Sequence, residues 1–246
     1  IQMKLSDPRT VSGEAELDRL FDMGKTVVMI THGIHATEVG GSQSAARLAH
    51  IMASSNDEKI LEILDNVIFL QIPSLNPDGL QWVANWYNEH VGTEFEAAPL
   101  PWLYQFYTGH DNNRDWYMLT QVETQAVTRQ LYHNWFPQIV YNQHQTGPFP
   151  GRIWMPPFAN PVNTNLDPLL VSSLNQMGHS MRKRFDVEGK PGVPLQQIQI
   201  VKVWLDASGD HNETIFAVAG DADNGAGVDT ATCEPTGTGA TDLCAV

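Results

Sequence analysis

Apolar residues along this chain of 246 fall into two kinds of pattern that take turns. Short, mostly unbroken runs rich in β-branched residues occur at Thr26–Ile30 (TVVMI), Val67–Ile72 (VIFLQI), Gln138–Asn142 (QIVYN) and Ile198–Leu205 (IQIVKVWL). Each has the length of a strand, and the lack of strict alternation predicts strands covered on both faces, as in a parallel sheet. Between them apolar residues recur at helical spacing. Ser12–Met23 places Leu17, Leu20 and Phe21 on one side and stops at Gly24, and Gly41–Ser54 does the same with Ala45, Leu48, Ala49 and Met52. Asn56–Leu64, capped by Ser55 or Asn56, turns Ile60, Ile63 and Leu64 inward. Thr120-x-x-Glu123 reads as a capping box opening a helix to about His133. Asp167-Pro168 starts a helix carrying Leu170, Leu174, Met177 and Met181, and its Arg182-Lys183-Arg184 suits the negative end of the dipole. Strands alternating with helices predict an α/β fold: a mostly parallel or mixed central sheet with helices on both faces. In such sheets ligand sites gather beyond the carboxyl ends of the strands.

Two stretches break the pattern. Asn76-Pro-Asp-Gly79 is strong turn chemistry, and Leu80–Thr108 mixes Trp82, Trp86, Trp102, Tyr87, Tyr104, Phe106 and Tyr107 with Pro99 and Pro101, as core aromatics or a pocket wall. Beyond Trp204 the chain turns to Gly, Ala, Asp and Thr with a single aromatic, Phe216, too little apolar surface to bury, and reads as loop. The expected organisation is therefore a catalytic-type domain over 1–205 and a poorly ordered acidic tail over 206–246.

Charge sharpens that division. The net charge is −14, from 14 basic and 28 acidic residues, and no Lys or Arg follows Lys202. A nucleic-acid partner is excluded, because phosphate binding needs a clustered basic face. No apolar run is long enough to span a bilayer. The two cysteines, Cys233 and Cys244, both lie in the tail and could bridge in an oxidising compartment.

Candidate chemistry sits at the ends of the apolar runs. Met29–Gly41 (MITHGIHATEVGG) holds His32, His35 and Glu38 where a strand gives way to a helix. An imidazole and a carboxylate three residues apart can reach one cation from one side, with room left for a third ligand and a water, the arrangement of a catalytic zinc. The plainer reading has a histidine at the helix start and Glu38 favoured by the dipole. His144 follows the Gln138–Asn142 run, and Asn113-Arg114 lies between in a polar cluster, Gly109–Trp116. A guanidinium grips a carboxylate through two parallel hydrogen bonds and a neighbouring amide adds a third. A metal-activated water beside a carboxylate clamp describes hydrolysis next to a free carboxyl terminus.

His35-Ala-Thr-Glu38, Asn76-Pro-Asp-Gly79, Asn-Asn-Arg-Asp-Trp at 112–116 and Asn142-Gln-His144-Gln resemble, in order, the motifs of the M14-type zinc carboxypeptidases, most closely the large bacterial members of unassigned specificity. The resemblance runs from about Lys4 to Trp204. It implies one Zn2+ held by His35, Glu38 and His144, and a substrate carboxylate held by Asn113 and Arg114. His32 then reads as a turn or supporting residue, with His32/His35 left open as an alternative pair. Asp115 is expected to orient Arg114, and Arg152 is the candidate for polarising the scissile carbonyl.

The pattern departs from the family in one respect. The general-base glutamate belongs on a late strand, and none matches: Glu188 is too early, and Glu213 and Glu234 fall in the tail with no strand pattern around them. The start also lacks the strands expected before the first ligand turn, so the chain is expected to be a fragment incomplete at both ends, its tail out of frame or chimeric. The implied function is zinc-dependent removal of C-terminal residues from peptides. A related zinc deacylase or amidase acting on a small carboxylate-bearing substrate, and a catalytically impaired zinc- or peptide-binding module, are the alternatives. The resemblance favours a secreted or periplasmic setting.

Overall fold

A computed structural model describes residues 1–102, 104–147, 153–157, 163–189, 197–206, 208–220, 227–228 and 235–236. They form two compact units, Ile1–Ile153 and Trp154–Val246.

The first unit is organised on a parallel three-stranded sheet of order β2-β1-β3. The central strand β1, Thr26–Thr31, pairs with β2, Val67–Ile72, and with β3, Ile139–Asn142. Thr31 lies opposite both Ile72 and Asn142, so all three strands end at one level. Val27, Met29 and Thr31 are the buried face of β1. Two helices join β1 to β2: α3, Val39–Ser54, and α4, Glu58–Asn66, whose cap is Asp57, accepting from the Lys59 amide. Ahead of β1 lie a short helix α1, Gln2–Leu5, and α2, Glu14–Met23.

The Asn-Pro-Asp-Gly sequence is a helix start rather than a free turn. Asn76 is the cap of α5, Pro77–His90, and its Oδ1 accepts from the Gly79 amide at 2.9 Å. Proline at the first helical position loses no intrahelical bond, which is why turn chemistry and helix-start chemistry look alike here. The aromatic stretch thus begins as a helix, with Trp82 and Trp86 on α5 both packed against Trp102.

The capping box expected at Thr120/Glu123 does not form. The N-cap of α6, Val122–Arg129, is Gln121, and no side chain of its own caps it. A fully buried carboxylate from the preceding loop does the work: Asp115 accepts from the Gln121 amide (2.9 Å), the Thr120 amide and hydroxyl (3.1 and 2.5 Å) and the Thr124 hydroxyl. Glu123 instead meets the Tyr107 hydroxyl. A π-helical turn, Gln130–Trp135, continues α6 to a left-handed Phe136, φ 48°.

The strand ends are cross-linked by side chains. His32, directly after β1 and 1% exposed, places Nδ1 2.5 Å from Gln143 Oε1, beyond β3, and Nε2 3.0 Å from Gln71 Nε2, on β2. Gln71 spends its other amide proton on the Ala45 carbonyl in α3. The partners require a neutral imidazole protonated at Nδ1, since Gln143 offers an acceptor and Gln71 a donor.

The second unit contains α7, Pro168–Val187, capped by Asp167, which accepts from the Leu169 amide at 2.8 Å as its sequence requires. Gly178 of α7 is buried against Pro156, where a β-carbon would fall 1.9 Å from the carbonyl oxygen. Part of the stretch 206–246, expected to be loop, is strand. His211–Gly220 is a strand, β5, antiparallel to β4, Gln197–Leu205. Asp206 makes the turn by accepting from the Ser208 and Asp210 amides, with Gly209 at φ +85°. Two further two-residue strands, β6 (Gly227–Val228) and β7 (Pro235–Thr236), pair with each other. Among the described residues the chain therefore has seven α-helices and a parallel sheet, the α/β architecture its pattern predicts.

Two titrations follow. Burial alone would raise the Asp115 pKa, but the Thr120 and Thr124 hydroxyls and the Gln121 and Thr120 amides outweigh it and hold it at about 2, below the ordinary 3.8. A folded-state value below the unfolded one means stability present above pH 3.8 and lost as pH falls toward 2. Asp115→Asn is expected to cost about 2–3 kcal/mol at neutral pH and to flatten the acid limb of a urea-midpoint profile; an unchanged acid limb would exclude the carboxylate as its source. For His32, burial outweighs the Gln143 hydrogen bond and lowers its pKa from 6.5, so its contribution to stability declines as pH drops below 6.5, where the unfolded chain takes the proton. Nitrogen-edge NMR of the ring is expected to show the Nδ1–H tautomer and a midpoint under 6.5; a midpoint at or above that value would contradict the buried clamp.

Candidate metal centre

The polar groups of the first unit concentrate just past the common end of the three strands. Gly33, at φ +62°, turns the chain out of β1; a β-carbon there would meet Ser42 Oγ at 2.4 Å. His35 and Glu38 follow in that turn, and Glu38 is the residue before α3. Its carboxylate does not cap the helix. Instead Oε1 lies 2.7 Å from His35 Nδ1, and Oε2 lies 3.1 Å from His144 Nδ1 and accepts from the Gln145 amide at 2.9 Å. The two rings stand 4.8 Å apart, tilted by 58°.

His35, Glu38 and His144 each offer one ligand atom, and these atoms lie within 4.8 Å of one another. All three side chains are half-buried, with His144 the most exposed. Two imidazoles and a carboxylate are the donor set of a catalytic zinc.

His35 tests the fit. Its Nε2 is buried without a hydrogen bond of proper geometry, yet sits 3.3 Å from Asp111 Oδ1. A neutral ring must leave one nitrogen as a lone pair facing a carboxylate, Glu38 on one side or Asp111 on the other. A cation at Nδ1 removes that conflict by putting the proton on Nε2, toward Asp111, as does a ring with a proton on each nitrogen. A second carboxylate behind a ligating histidine is the usual device for fixing its tautomer and raising its basicity. The residues present therefore fit a divalent metal.

Asp111 also joins this cluster to the arginine. It caps the helical turn Asn112–Arg114 by accepting from the Asn113 amide at 2.7 Å, and its Oδ2 lies 3.8 Å from Arg114 Nη1. Asn113 commits its Oδ1 to the Trp116 indole at 3.0 Å, so the side-chain amide is oriented with its NH2 left to donate. Arg114 is 65% exposed, a guanidinium presented to solvent. Tyr104 packs edge-on to His35, ring centres 5.8 Å apart, and its phenol is held well above the ordinary 10.0, first by burial and then by the Asp111 charge.

The expected residues are thus sorted. His35, Glu38 and His144 come together, and Asn113 and Arg114 adjoin them through Asp111. The alternative His32/His35 pair does not form, because both His32 nitrogens are spent on Gln71 and Gln143. Asp115 does not orient Arg114; it faces inward on α6, and Asp111 is the carboxylate beside the guanidinium. Arg152 lies outside the described residues. Tyr104, Asp111 and Gln145 were missed as site residues. Asp111 carried a signal, two positions ahead of Asn113 in a dense polar run, whereas Tyr104 was one aromatic among many.

Comparison with known proteins agrees with this geometry. The family model for zinc carboxypeptidase matches residues 4–148. A second model, described as a protein of unknown function (DUF3604), matches residues 186–246. No curated protein and no solved structure matches the chain. Because the first match covers more than half of the residues, and the three ligand-type side chains all fall inside it, the chain belongs to the M14-type zinc carboxypeptidases.

Proposed function

We propose that this chain is a zinc metallocarboxypeptidase that acts on the last peptide bond of a substrate with a free carboxyl terminus. Family membership makes it a metallopeptidase-like hydrolase. The observation that carries the finer reading is the meeting of His35, Glu38 and His144, from segments more than a hundred residues apart, within 4.8 Å.

His35 and His144 through Nδ1, and Glu38 through its carboxylate, would hold one Zn2+, which when bound supplies an activated water and polarises a carbonyl. With Nδ1 taken by the metal, Asp111, 3.3 Å from His35 Nε2, would hold the ring in one tautomer. Arg114 and the Asn113 NH2 take the substrate's terminal carboxylate, a bidentate pair with a third donor beside it. Asp111, touching both His35 and Arg114, sets the spacing between the reacting bond and the carboxylate grip. Tyr104 packs edge-on beside His35. The general base is assigned to no residue.

Purified protein is expected to contain one zinc per chain, lost in His144→Ala and in Glu38→Gln; metal content that is low in the parent and unchanged by either substitution would end the metal reading. Peptides with free carboxyl termini are expected to lose their last residue while amidated copies do not, and cleavage of both alike would favour an amidase. Stoichiometric zinc without hydrolysis would select the binding module. In an active preparation Arg114→Ala removes two charge-assisted hydrogen bonds of about 1.5 kcal/mol each, so kcat/KM is expected to fall about a hundredfold.

A further inference from the structure

We propose that Gln143 and Gln145, the two residues flanking His144, are positioning residues that aim its imidazole at Glu38 and His35; this rests on the metal-site reading above. Among the described residues His144 has little else to aim it. The β1–β3 ladder closes at Thr31 opposite Asn142, with a last backbone bond from the Gln143 amide to the Thr31 carbonyl at 2.9 Å. From there the third ligand stands on a loop, 106 residues from the carboxylate it must meet.

The two glutamines pin that loop to different elements. Gln143 Oε1 takes His32 Nδ1 at 2.5 Å, and His32 is immobilised in turn: by Gln71 on β2, by its own amide on the Ile72 carbonyl (3.0 Å), and by its carbonyl on the Leu75 amide (2.9 Å). Gln145 reaches the other way. Its amide donates to Glu38 Oε2, and its Oε1 accepts from the Gly40 amide at 3.0 Å in the first turn of α3. Gly40 makes room for Gln145, while Gly41 leaves Gln143 in ordinary contact range. A β-carbon at 40 would fall 2.7 Å from Gln145 Oε1, and one at 41 would touch the Gln143 amide carbon at 3.6 Å. Three consecutive side chains, 143, 144 and 145, are thereby held by β1's exit, by Glu38 and by α3. Glutamine suits the task, because its amide oxygen accepts like a carboxylate and adds no charge beside the ligands. Ligand distances in a metal site tolerate only about ±0.2 Å, so a loop held by these bonds and one without them differ in affinity.

A comparison residue separates aiming from general strengthening. Gln138, at the start of β3, also ties β3 to β1, its Oε1 accepting from the Val27 amide at 2.7 Å, but at the opposite end of the sheet. Zn2+ affinity by chelator competition and the Co2+ absorption spectrum are measured on the full chain for Gln143→Met, Gln145→Met and Gln138→Met. The first two are expected to weaken Zn2+ binding about 10- to 100-fold and to alter the Co2+ ligand-field bands. Gln138→Met is expected to leave both unchanged even if its melting temperature drops. Should Gln145→Met fail to fold, Gly40→Ala displaces the same side chain by contact alone and is expected to act in the same direction. Unchanged affinity and spectrum in both flanking variants, or an equal loss in Gln138→Met, would overturn the inference while leaving the metal site intact. A parent chain that takes up neither ion would overturn the metal reading itself.

Discussion

The Glu38 carboxylate is the group on which the site turns. It stands at the head of α3, where a negative charge is favoured by the dipole, yet it leaves the helix amides alone and is shared by His35, His144 and the Gln145 backbone. Each of its oxygens faces one ring nitrogen. Removing it would leave two imidazoles side by side, 4.8 Å between centres, with nothing of opposite charge between them. A divalent cation fits this geometry, because it can take two nitrogen lone pairs and the carboxylate at once.

That arrangement depends on where the strands stop. β1, β2 and β3 run parallel and finish level with one another, so the turns after β1 and β3 open onto the same space. His32 then braces the level edge by joining residues of all three strands or their exits. Its neutral, buried ring is a structural member, unlike His35 three residues on, whose surroundings carry two carboxylates. Two histidines of one short segment acquire opposite roles from their partners alone.

Asp111 and Asp115 show the same separation. Both lie in one polar run, four residues apart, and both are capping carboxylates. Asp115 is enclosed by amides and hydroxyls, which makes it a folding element of α6. Asp111 caps the short turn with one oxygen and lies against a histidine and an arginine, which places it between the His35, Glu38 and His144 cluster and the Arg114 guanidinium. The second unit contributes a helix and a hairpin on whose strands Val203, Leu205, Ile215 and Phe216 are exposed, and its strands fall within the segment matched by a different family.

The strand runs, the helix at Asp167-Pro168 and the three metal-type ligands were legible in the residues, because unbroken apolar runs, an Asp-Pro start and His-x-x-Glu are local signals. The meeting of His35, Glu38 and His144 was readable only through ordered motifs, since no local rule brings position 144 to position 38. Tertiary structure decided the rest. It made Asn76-Pro-Asp-Gly79 a helix start, gave the α6 cap to Asp115 in place of Thr120, and used Asp206 to turn a strand into a segment that looked too poor in large apolar residues to pair. It also set His32 apart from His35 and Asp111 apart from Asp115. In each case the residue type permits several hydrogen-bonding roles of similar free energy, and the choice among them falls to partners that only the folded chain brings within reach.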